Sequence, residues 1–374
     1  METREKNQTR LSRWWGRCPA RHGLLILSLL WLGAYFATRQ NRPWMGWLCR
    51  TLVRPWHRTA GRFYSLVRFS AAEWIIALWV LMGIAFLVQG GICLVRRHGG
   101  GAFYRWIVSV LTMASVLFGL FSLWWGVFYY SGTFAQQTGL VDRPISYEEL
   151  ETVTMYFADM ANEYSAQVER DEEREFTAEF RQLFDHSETL YHAVQEKFSV
   201  LSGPDLRAKP VLFSRGMSWL NNTGFFFPYT AEANVNVDCP MALLPATIAH
   251  ELAHQRGVAR EDEANFVGIL ACLEDGDPTF VYSAALMAYV YLGNALHSAD
   301  YAAWETVYRS LNEDVRRDLN VHNAYWDRFE TKAAEVSDKV YEVFLETYGD
   351  DRGMKSYDAC VDLLVAYYLP AASG

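Results

Sequence analysis

The chain has 374 residues, of which 51% are hydrophobic and 15% aromatic, and this composition excludes a disordered, collagen-like or coiled-coil chain. Its net charge of −9 combines two unlike parts, because residues 1–131 carry +13 and residues 132–374 carry −22. The acidic part is a poor candidate for nucleic-acid binding, which depends on cationic groups that displace counterions, so we expect no nucleic-acid partner.

Three segments of the basic part have the length and apolarity of membrane-spanning helices. Uncharged runs occupy positions 23–38, 74–95 and 106–130, and about 20 apolar residues are needed to cross a hydrocarbon core of about 30 Å. The first run is short, but the residues before it can extend it to about 20–38. It is followed by arginines and not by the small-residue cleavage site of a signal peptide. We therefore predict three transmembrane helices and the lipid bilayer as a partner.

Basic residues favour a cytoplasmic N-terminus by a narrow margin. The leader and the 96–105 loop together hold nine Lys and Arg, whereas the 39–72 loop holds seven. Cytoplasmic segments carry the excess of positive charge in membrane proteins. Three spans would then place the acidic part outside the cytoplasm.

The loop between the first two predicted spans has a helical pattern of its own. Arg50, Arg54, Arg58 and Arg62 recur every four residues, and aromatic and aliphatic residues fill much of the rest. This pattern indicates an amphipathic segment over residues 44–68 that lies in the headgroup plane. The alternative is a solvated arginine face on a helix that packs against the soluble domain.

The acidic part is predicted to be mainly helical. Residues 146–198 contain no Gly or Pro and favour one or two long helices. Residues 223–238 alternate between apolar and polar side chains near their end, which indicates a strand or hairpin. Residues 280–296 are uncharged, but they are short and flanked by acidic residues. We predict a buried helix of the soluble domain there in preference to a fourth span.

The sequence TIAHELAHQRG carries the pattern with the most chemical content. His250 and His254 are four residues apart, so on a helix they lie on one face and can share a metal ion. Glu251 lies beside them and could take a proton from a metal-activated water. A helix is expected here because a proline suits its first turn and Gly257 can end it.

A third metal ligand is expected shortly after the second histidine, because a tetrahedral catalytic zinc takes three protein ligands and one water. A helix that begins near Glu261 places Glu261 and Asn265 on one face. This repeats the arrangement of the gluzincins, in which Glu is a ligand and a later Asp or Asn supports a ligand histidine. Glu263 is the alternative ligand, and Arg260 occupies the place where a metzincin would need histidine. We predict Zn²⁺ bound by the two histidines and Glu261.

Two further features of a zinc peptidase have candidates in the sequence. The strand predicted within residues 223–238 could pair with an extended substrate, as edge strands do in β-augmentation. A group that stabilises the oxyanion is usual in such sites. His322, Tyr325 and Tyr357 are candidates for it, and the sequence does not choose among them.

Three stretches resemble an uncharacterised family of bacterial membrane proteins that is named only as a domain of unknown function. They read GFFFPYTAEANVN, TIAHELAHQRGVAREDEANFVG and YGDDRGMKSYDACVDLLVAYY. The resemblance extends over the whole chain, including the three spans, and it implies a bacterial cell membrane and zinc-peptidase character. The family supplies little biochemistry, so the expected mechanism depends on the residues and on analogy to the gluzincins.

The predicted fold is a membrane α-helical region, residues 1–131, followed by a mainly α (α+β) zincin-like soluble domain with a small sheet, residues 132–374. The predicted function is a membrane-anchored zinc metallopeptidase that acts on a peptide or protein substrate. A catalytically silent zincin-fold sensor or scaffold is an alternative, but a structural site has no use for Glu251 as a base. An intramembrane protease is disfavoured by the charges of residues 256–263 and the short apolar stretch around the motif.

Overall fold

Helices make up most of the chain. The computed structural model describes residues 16–95, 100–140, 143–348 and 356–373. For residues 100 and 356–359 it describes only the backbone. The leader charges before residue 16, the arginines of the 96–99 loop and the side chain of Tyr357 lie outside these described residues.

The predicted spans lie within long apolar helices. Two π-helical turns, Cys49–Val53 and Ser122–Gly126, join consecutive helices, so residues 101–130 form one continuous apolar helix. Three helices of this region are therefore long and apolar enough to cross a membrane, as predicted for 20–38, 74–95 and 106–130. The helices of this part are α1 Pro19–Thr38, α2 Arg42–Leu48, α3 Arg54–Tyr64, α4 Ala71–Val95, α5 Gly100–Phe121 and α6 Val127–Tyr130.

Helices α1 and α5 run side by side in the same direction. Arg21 donates a hydrogen bond to the hydroxyl of Ser109 (2.6 Å), and Trp31 donates to the carbonyl of Gly119 (2.8 Å). Both contact points therefore advance toward the C-terminal ends of the two helices, which means that the helices are parallel. Helix α4 packs against α5 and completes a bundle of three apolar helices.

The predicted amphipathic segment 44–68 packs against the acidic part of the chain. Val53, His57 and Gly61 recur every four residues and are buried, and a side chain at Gly61 would contact Ala231. The rest of the segment carries exposed aromatic residues and arginines. The exposed arginines are Arg50, Arg58, Arg62 and Arg68.

The acidic part contains twelve described helices, and the predicted long helices of residues 146–198 form only in part. After α8 the chain turns back on itself through a bridge between Arg170 and Phe176. Both of these residues hydrogen-bond to the carboxylate of Asp318, which is distant in sequence, and this contact explains why the helix does not continue. The helices are α7 Phe134–Thr138, α8 Tyr147–Ser165, α9 Phe180–His186, α10 His192–Lys197, α11 Ser214–Trp219, α12 Leu244–Gln255, α13 Glu261–Asp275, α14 Pro278–Ala299, α15 Tyr301–Ser310, α16 Glu313–Trp326, α17 Lys332–Thr347 and α18 Ser356–Ala372.

A small sheet has the strand order β1–β3–β2, where β1 is Lys209–Pro210, β2 is Gly224–Phe227 and β3 is Glu232–Val235. Strand β3 is central, parallel to β1 and antiparallel to β2. The predicted hairpin within residues 223–238 is therefore confirmed, and β2 is its outer strand.

Helix α14 contains the uncharged run at 280–296. It is a fourth helix with the length and apolarity to cross a membrane, but 72% of its apolar window is buried, against 22% or less in the other three. It packs between α8, α12 and α13 in the main hydrophobic core. This burial agrees with the prediction of an internal helix.

Candidate metal site

The motif helix α12 ends in a tight reversal at Gly257. This residue adopts φ +90°, where glycine has no steric cost, and its N–H donates to the carbonyl of His254 (2.9 Å). The N–H of Val258 reaches back to Ala253 (3.1 Å), so the last carbonyls of the helix are satisfied. The reversal directs the chain into α13, which begins at Glu261 as the helical phase predicts.

Helix α13 can pack closely on α12 because Gly268 lies at their crossing. A side chain at Gly268 would place its Cβ 2.9 Å from the backbone nitrogen of His250. This close approach brings the first turn of α13 over the histidines of α12. Glu261 is in that first turn.

The three predicted ligands come together. The Oε2 atom of Glu261 lies 3.3 Å from Nε2 of His250, and its Oε1 atom lies 3.5 Å from Nε2 of His254. One ligating atom from each residue falls within 4.8 Å of the others. Ligands at about 2.0–2.1 Å from a tetrahedral ion are about 3.3–3.4 Å apart. Two imidazoles and one carboxylate this close together could share one metal ion.

The ring of His254 is held in one orientation. Its Nδ1–H donates to the carbonyl of Val258 (2.7 Å), which leaves Nε2 free to face Glu261. Burial opposes a charge on this ring, but the adjacent Glu261 raises the pKa of His254 to about 9. Burial likewise opposes the charge of Glu261, yet the two histidines hold its pKa well below its usual range. Glu261 and the imidazoles therefore lie close enough to share a proton, which a bound metal ion would displace.

Asn265 lies one turn after Glu261, is buried, and lines the same cleft as His250. The Nδ1 atom of His250 has no hydrogen-bond partner in the part of the chain that the structure describes. Support of a ligand histidine by Asn265 therefore stays a prediction, and the observed support of His254 comes from a backbone carbonyl instead.

Glu263, the alternative ligand, hydrogen-bonds to a different part of the chain. Its carboxylate accepts hydrogen bonds from the backbone N–H groups of Phe134 (2.7 Å) and Ala135 (2.9 Å). These are the first residues of α7, so Glu263 holds the start of that helix. The structure brings Glu261 to the histidines and places Glu263 away from them.

Glu251 is buried beside the ligands, with one carboxylate oxygen unpaired. Its Oε2 atom has no hydrogen-bond partner among the described residues, and its exposed fraction is 3%. Burial, together with the charge of Glu261, raises the pKa of Glu251 to about 7. A carboxylate with a pKa near neutrality is suited to exchange protons as a general base and acid.

A cleft of about 340 Å³ opens beside the ligands, and His322 and Tyr341 are among the polar residues that line it. Burial lowers the pKa of His322 to about 4, so this imidazole is neutral at physiological pH. The hydroxyl of Tyr341, on α17, donates a hydrogen bond to Glu261. Nothing in the sequence around Tyr341 indicates this role, because 80 residues separate it from Glu261.

Of the other predicted oxyanion partners, Tyr325 has a different contact. Its hydroxyl donates to the backbone carbonyl of Asp238 and lies 3.0 Å from the hydroxyl of Ser218, and it is not among the residues of the cleft. The side chain of Tyr357 lies outside the described residues.

Fold and site together define a mostly helical protein that has several helices able to cross a membrane and a His–His–Glu cluster able to hold a metal ion. The family model described as "Protein of unknown function (DUF3810)" matches residues 49–365, and the chain belongs to this family. The match begins after α1, so it covers two of the three predicted spans. Searches of the curated proteins and of the solved structures find no match to the chain.

Proposed function

We propose that the chain is a membrane-bound zinc peptidase. One observation carries this proposal: the cluster of His250, His254 and Glu261 adjoins Glu251, and one oxygen of its buried carboxylate has no partner among the described residues. A buried polar atom without a partner is costly, and in a native structure a catalytic role, a bound water or an ion accounts for it. A site that only held a structural metal would not need this group.

Each residue of the cluster has a role in peptide hydrolysis. The two imidazoles and the Glu261 carboxylate would hold Zn²⁺, which activates a water molecule and polarises the scissile carbonyl when it is bound. Glu251 would take the proton of that water and deliver it to the nitrogen of the leaving amine. His322 lines the cleft and presents a neutral imidazole that could stabilise the oxyanion, whereas the O–H of Tyr341 is already donated to Glu261.

The outer strand β2 provides a way to bind an extended peptide. The carbonyl of Thr223 accepts a hydrogen bond from Asn236 of the neighbouring strand. Along an antiparallel strand, the backbone N–H and C=O groups of successive residues point alternately toward and away from the neighbouring strand. Gly224 and Phe226 therefore direct their backbone groups to the outer side. A peptide paired along this edge would pass Gly224, which lies against Glu251.

The test uses the full chain, purified in lipid nanodiscs, with its metal content and its hydrolysis of a mixed peptide library measured together. We expect one equivalent of zinc in the wild type and in Glu251→Gln, and little in His250→Ala. Only the wild type should hydrolyse peptides. Absence of stoichiometric zinc, or full activity of Glu251→Gln, would contradict the proposal. Zinc without hydrolysis in the wild type would favour the silent sensor or scaffold.

We also propose that the cleft lies outside the cytoplasm of a bacterial cell. The narrow charge bias of the loops supports this orientation. A periplasmic-only reporter enzyme fused after Gly374 should be active. Activity of a cytoplasm-only reporter at the same position would reverse the orientation.

A further inference from the structure

The candidate metal site lies at the level where the spans end. Trp125, near the end of the continuous apolar helix 101–130, makes a T-shaped ring contact with His254, with the ring centroids 5.5 Å apart. The apolar run of α1 ends at Thr38, and Arg39 after it donates to the carbonyl of Thr347 at the end of α17 (2.7 Å). Charged residues such as this arginine mark the surface of a bilayer. Both contacts place the cleft at that surface.

The turn between β2 and β3 lies deeper than the metal site. The hydroxyl of Tyr229 in this turn donates to the carbonyl of Leu117 (2.8 Å), and its ring lies 5.0 Å from the ring of Trp79. Leu117 precedes Trp125 by eight residues, or about 12 Å along a helix that rises about 1.5 Å per residue. The turn therefore sits between the second and third spans, below the level of the cleft.

Strand β2 connects these two levels. Its first residue, Gly224, lies against Glu251, and its last residue, Phe227, contacts Trp79 of the second span. At about 3.3 Å per extended residue, the five steps from Gly224 to Tyr229 cover at most about 16 Å, because the last two residues belong to the turn. The outer edge of the sheet thus leads from the depth of the spans to the proposed general base.

Helix α17, which carries the cleft tyrosine, presents an apolar face that no other described residue covers. Val336, Val340 and Val343 are 61%, 66% and 62% exposed, and their spacing places them on one side of the helix. Phe344 of the same helix packs on Phe121 of the third span, with ring centroids 5.6 Å apart. Because this contact holds the helix against a span, the bilayer is the occupant that fits the valine face.

We infer that the substrate is a polypeptide anchored in the same bilayer and cut close to its membrane segment. This inference rests on the proposed peptidase function. The anchored chain adds to the outer edge of β2, leaves the bilayer beside the hairpin turn, and reaches Glu251 within about five residues. Water adds hydroxide to the carbonyl carbon as the C–N bond breaks, and Glu251 passes the proton to the released amine.

The position of the cleft is tested first, with a readout that is independent of activity. In a full chain with Cys93→Ala and Cys239→Ala, a fluorophore is attached to Val340→Cys or, as the matched control on the other side of α17, to Glu342→Cys. In vesicles that contain lipids with nitroxide groups near the headgroup, we expect at least about two-fold stronger quenching at position 340 than at 342. Equal quenching would overturn the placement at the bilayer.

The substrate class is tested in the same vesicles, with the zinc-loaded wild type. A peptide segment of randomised sequence is supplied either fused to a single transmembrane helix or free in solution. Cleavage sites are mapped by mass spectrometry, and only those absent with Glu251→Gln are counted. We expect cuts within about five residues of the helix, and at least about ten-fold fewer in the free segment. Equal cutting of the free segment, or cuts spread evenly along the anchored one, would overturn the inference. Position-dependent quenching without cuts in either set would instead contradict the peptidase function, and the substrate inference would be rejected with it.

Discussion

Gly224 on the outer strand lies directly against the side chain of Glu251. A Cβ atom at position 224 would come within 2.7 Å of both Cγ and Cδ of the glutamate. The strand that is placed to bind a peptide and the carboxylate that is placed to move a proton are therefore in van der Waals contact. The absence of a side chain at this position is what allows that contact.

This relationship predicts the effect of Gly224→Ala. Because Glu251 is buried and cannot move freely, the added methyl group should displace its carboxylate, and displacements of about 1 Å can cost about 100-fold in rate. We expect turnover to fall at least about ten-fold while zinc is retained. Gly91→Ala is the control, since a Cβ there meets no described atom within 4 Å. Unchanged turnover in Gly224→Ala would mean that the position of Glu251 does not limit the reaction.

A second prediction separates the carboxylates of α13. Glu261→Ala should weaken zinc affinity by far more than the roughly 10–100-fold loss that is typical when a residue that supports a ligand is removed. Asn265→Ala should weaken zinc affinity within that smaller range. Glu263→Ala should keep zinc but lower the free energy of unfolding by about 1–3 kcal/mol, because the buried N–H groups of Phe134 and Ala135 lose their acceptor. Zinc titration and denaturant unfolding of the three variants decide this, and zinc loss confined to Glu263→Ala would contradict the assignment of ligands.

Local sequence patterns predict well which three side chains come together at the candidate site. His250, His254 and Glu261 fall within twelve consecutive residues, and helical periodicity alone places the histidines on one face and starts α13 in the correct phase. The same is true of the spans, whose length and apolarity are properties of single segments. These features can be predicted from the sequence because each depends on residues that are close together in the chain.

Contacts between distant segments were not predictable in this way. Tyr341 reaches Glu261 from a helix with no recognisable motif, and Trp125 meets His254 from the end of a span. The backbone carbonyl of Val258 leaves no signature in side-chain patterns. The end of α8 at Ser165 likewise depends on a partner about 150 residues later, so propensity favours a longer helix than tertiary contacts allow.

We expect His322 to contribute to turnover and not to metal binding. Its neutral imidazole lines the cleft and is not one of the three candidate ligands, so His322→Ala should lower kcat about 10–1000-fold with little change in KM or zinc content. Tyr325→Phe is the matched control, because its hydroxyl bonds to Asp238 outside the cleft. Steady-state kinetics of the two variants test this, and equal effects would remove His322 from the mechanism.

Glu232 is expected to be a main anchor between the sheet and the second span. Its buried carboxylate pairs with Lys209 and accepts the N–H groups of Ala71 (3.1 Å) and Ala72 (2.9 Å). Removal of one partner from a buried pair costs about 3–5 kcal/mol, so Glu232→Ala should strongly lower the free energy of unfolding. Glu188→Ala, which removes an exposed ion pair, should cost less than about 1 kcal/mol. Similar losses in the two variants would show that the buried carboxylate is not an anchor.

The last prediction concerns the pH dependence of stability through His186. The hydrogen bond from its ring to Asp275 (2.7 Å) outweighs burial and raises the pKa of His186 in the folded protein. A group whose folded pKa exceeds its unfolded value of about 6.5 contributes stability fully below that value, and the contribution disappears as the pH rises through the folded pKa. His186→Gln should therefore lower the thermal midpoint more at pH 6 than at pH 9. Thermal unfolding of both proteins in nanodiscs at the two pH values measures this difference, and a pH-independent effect would show that the charged form of His186 does not stabilise the fold.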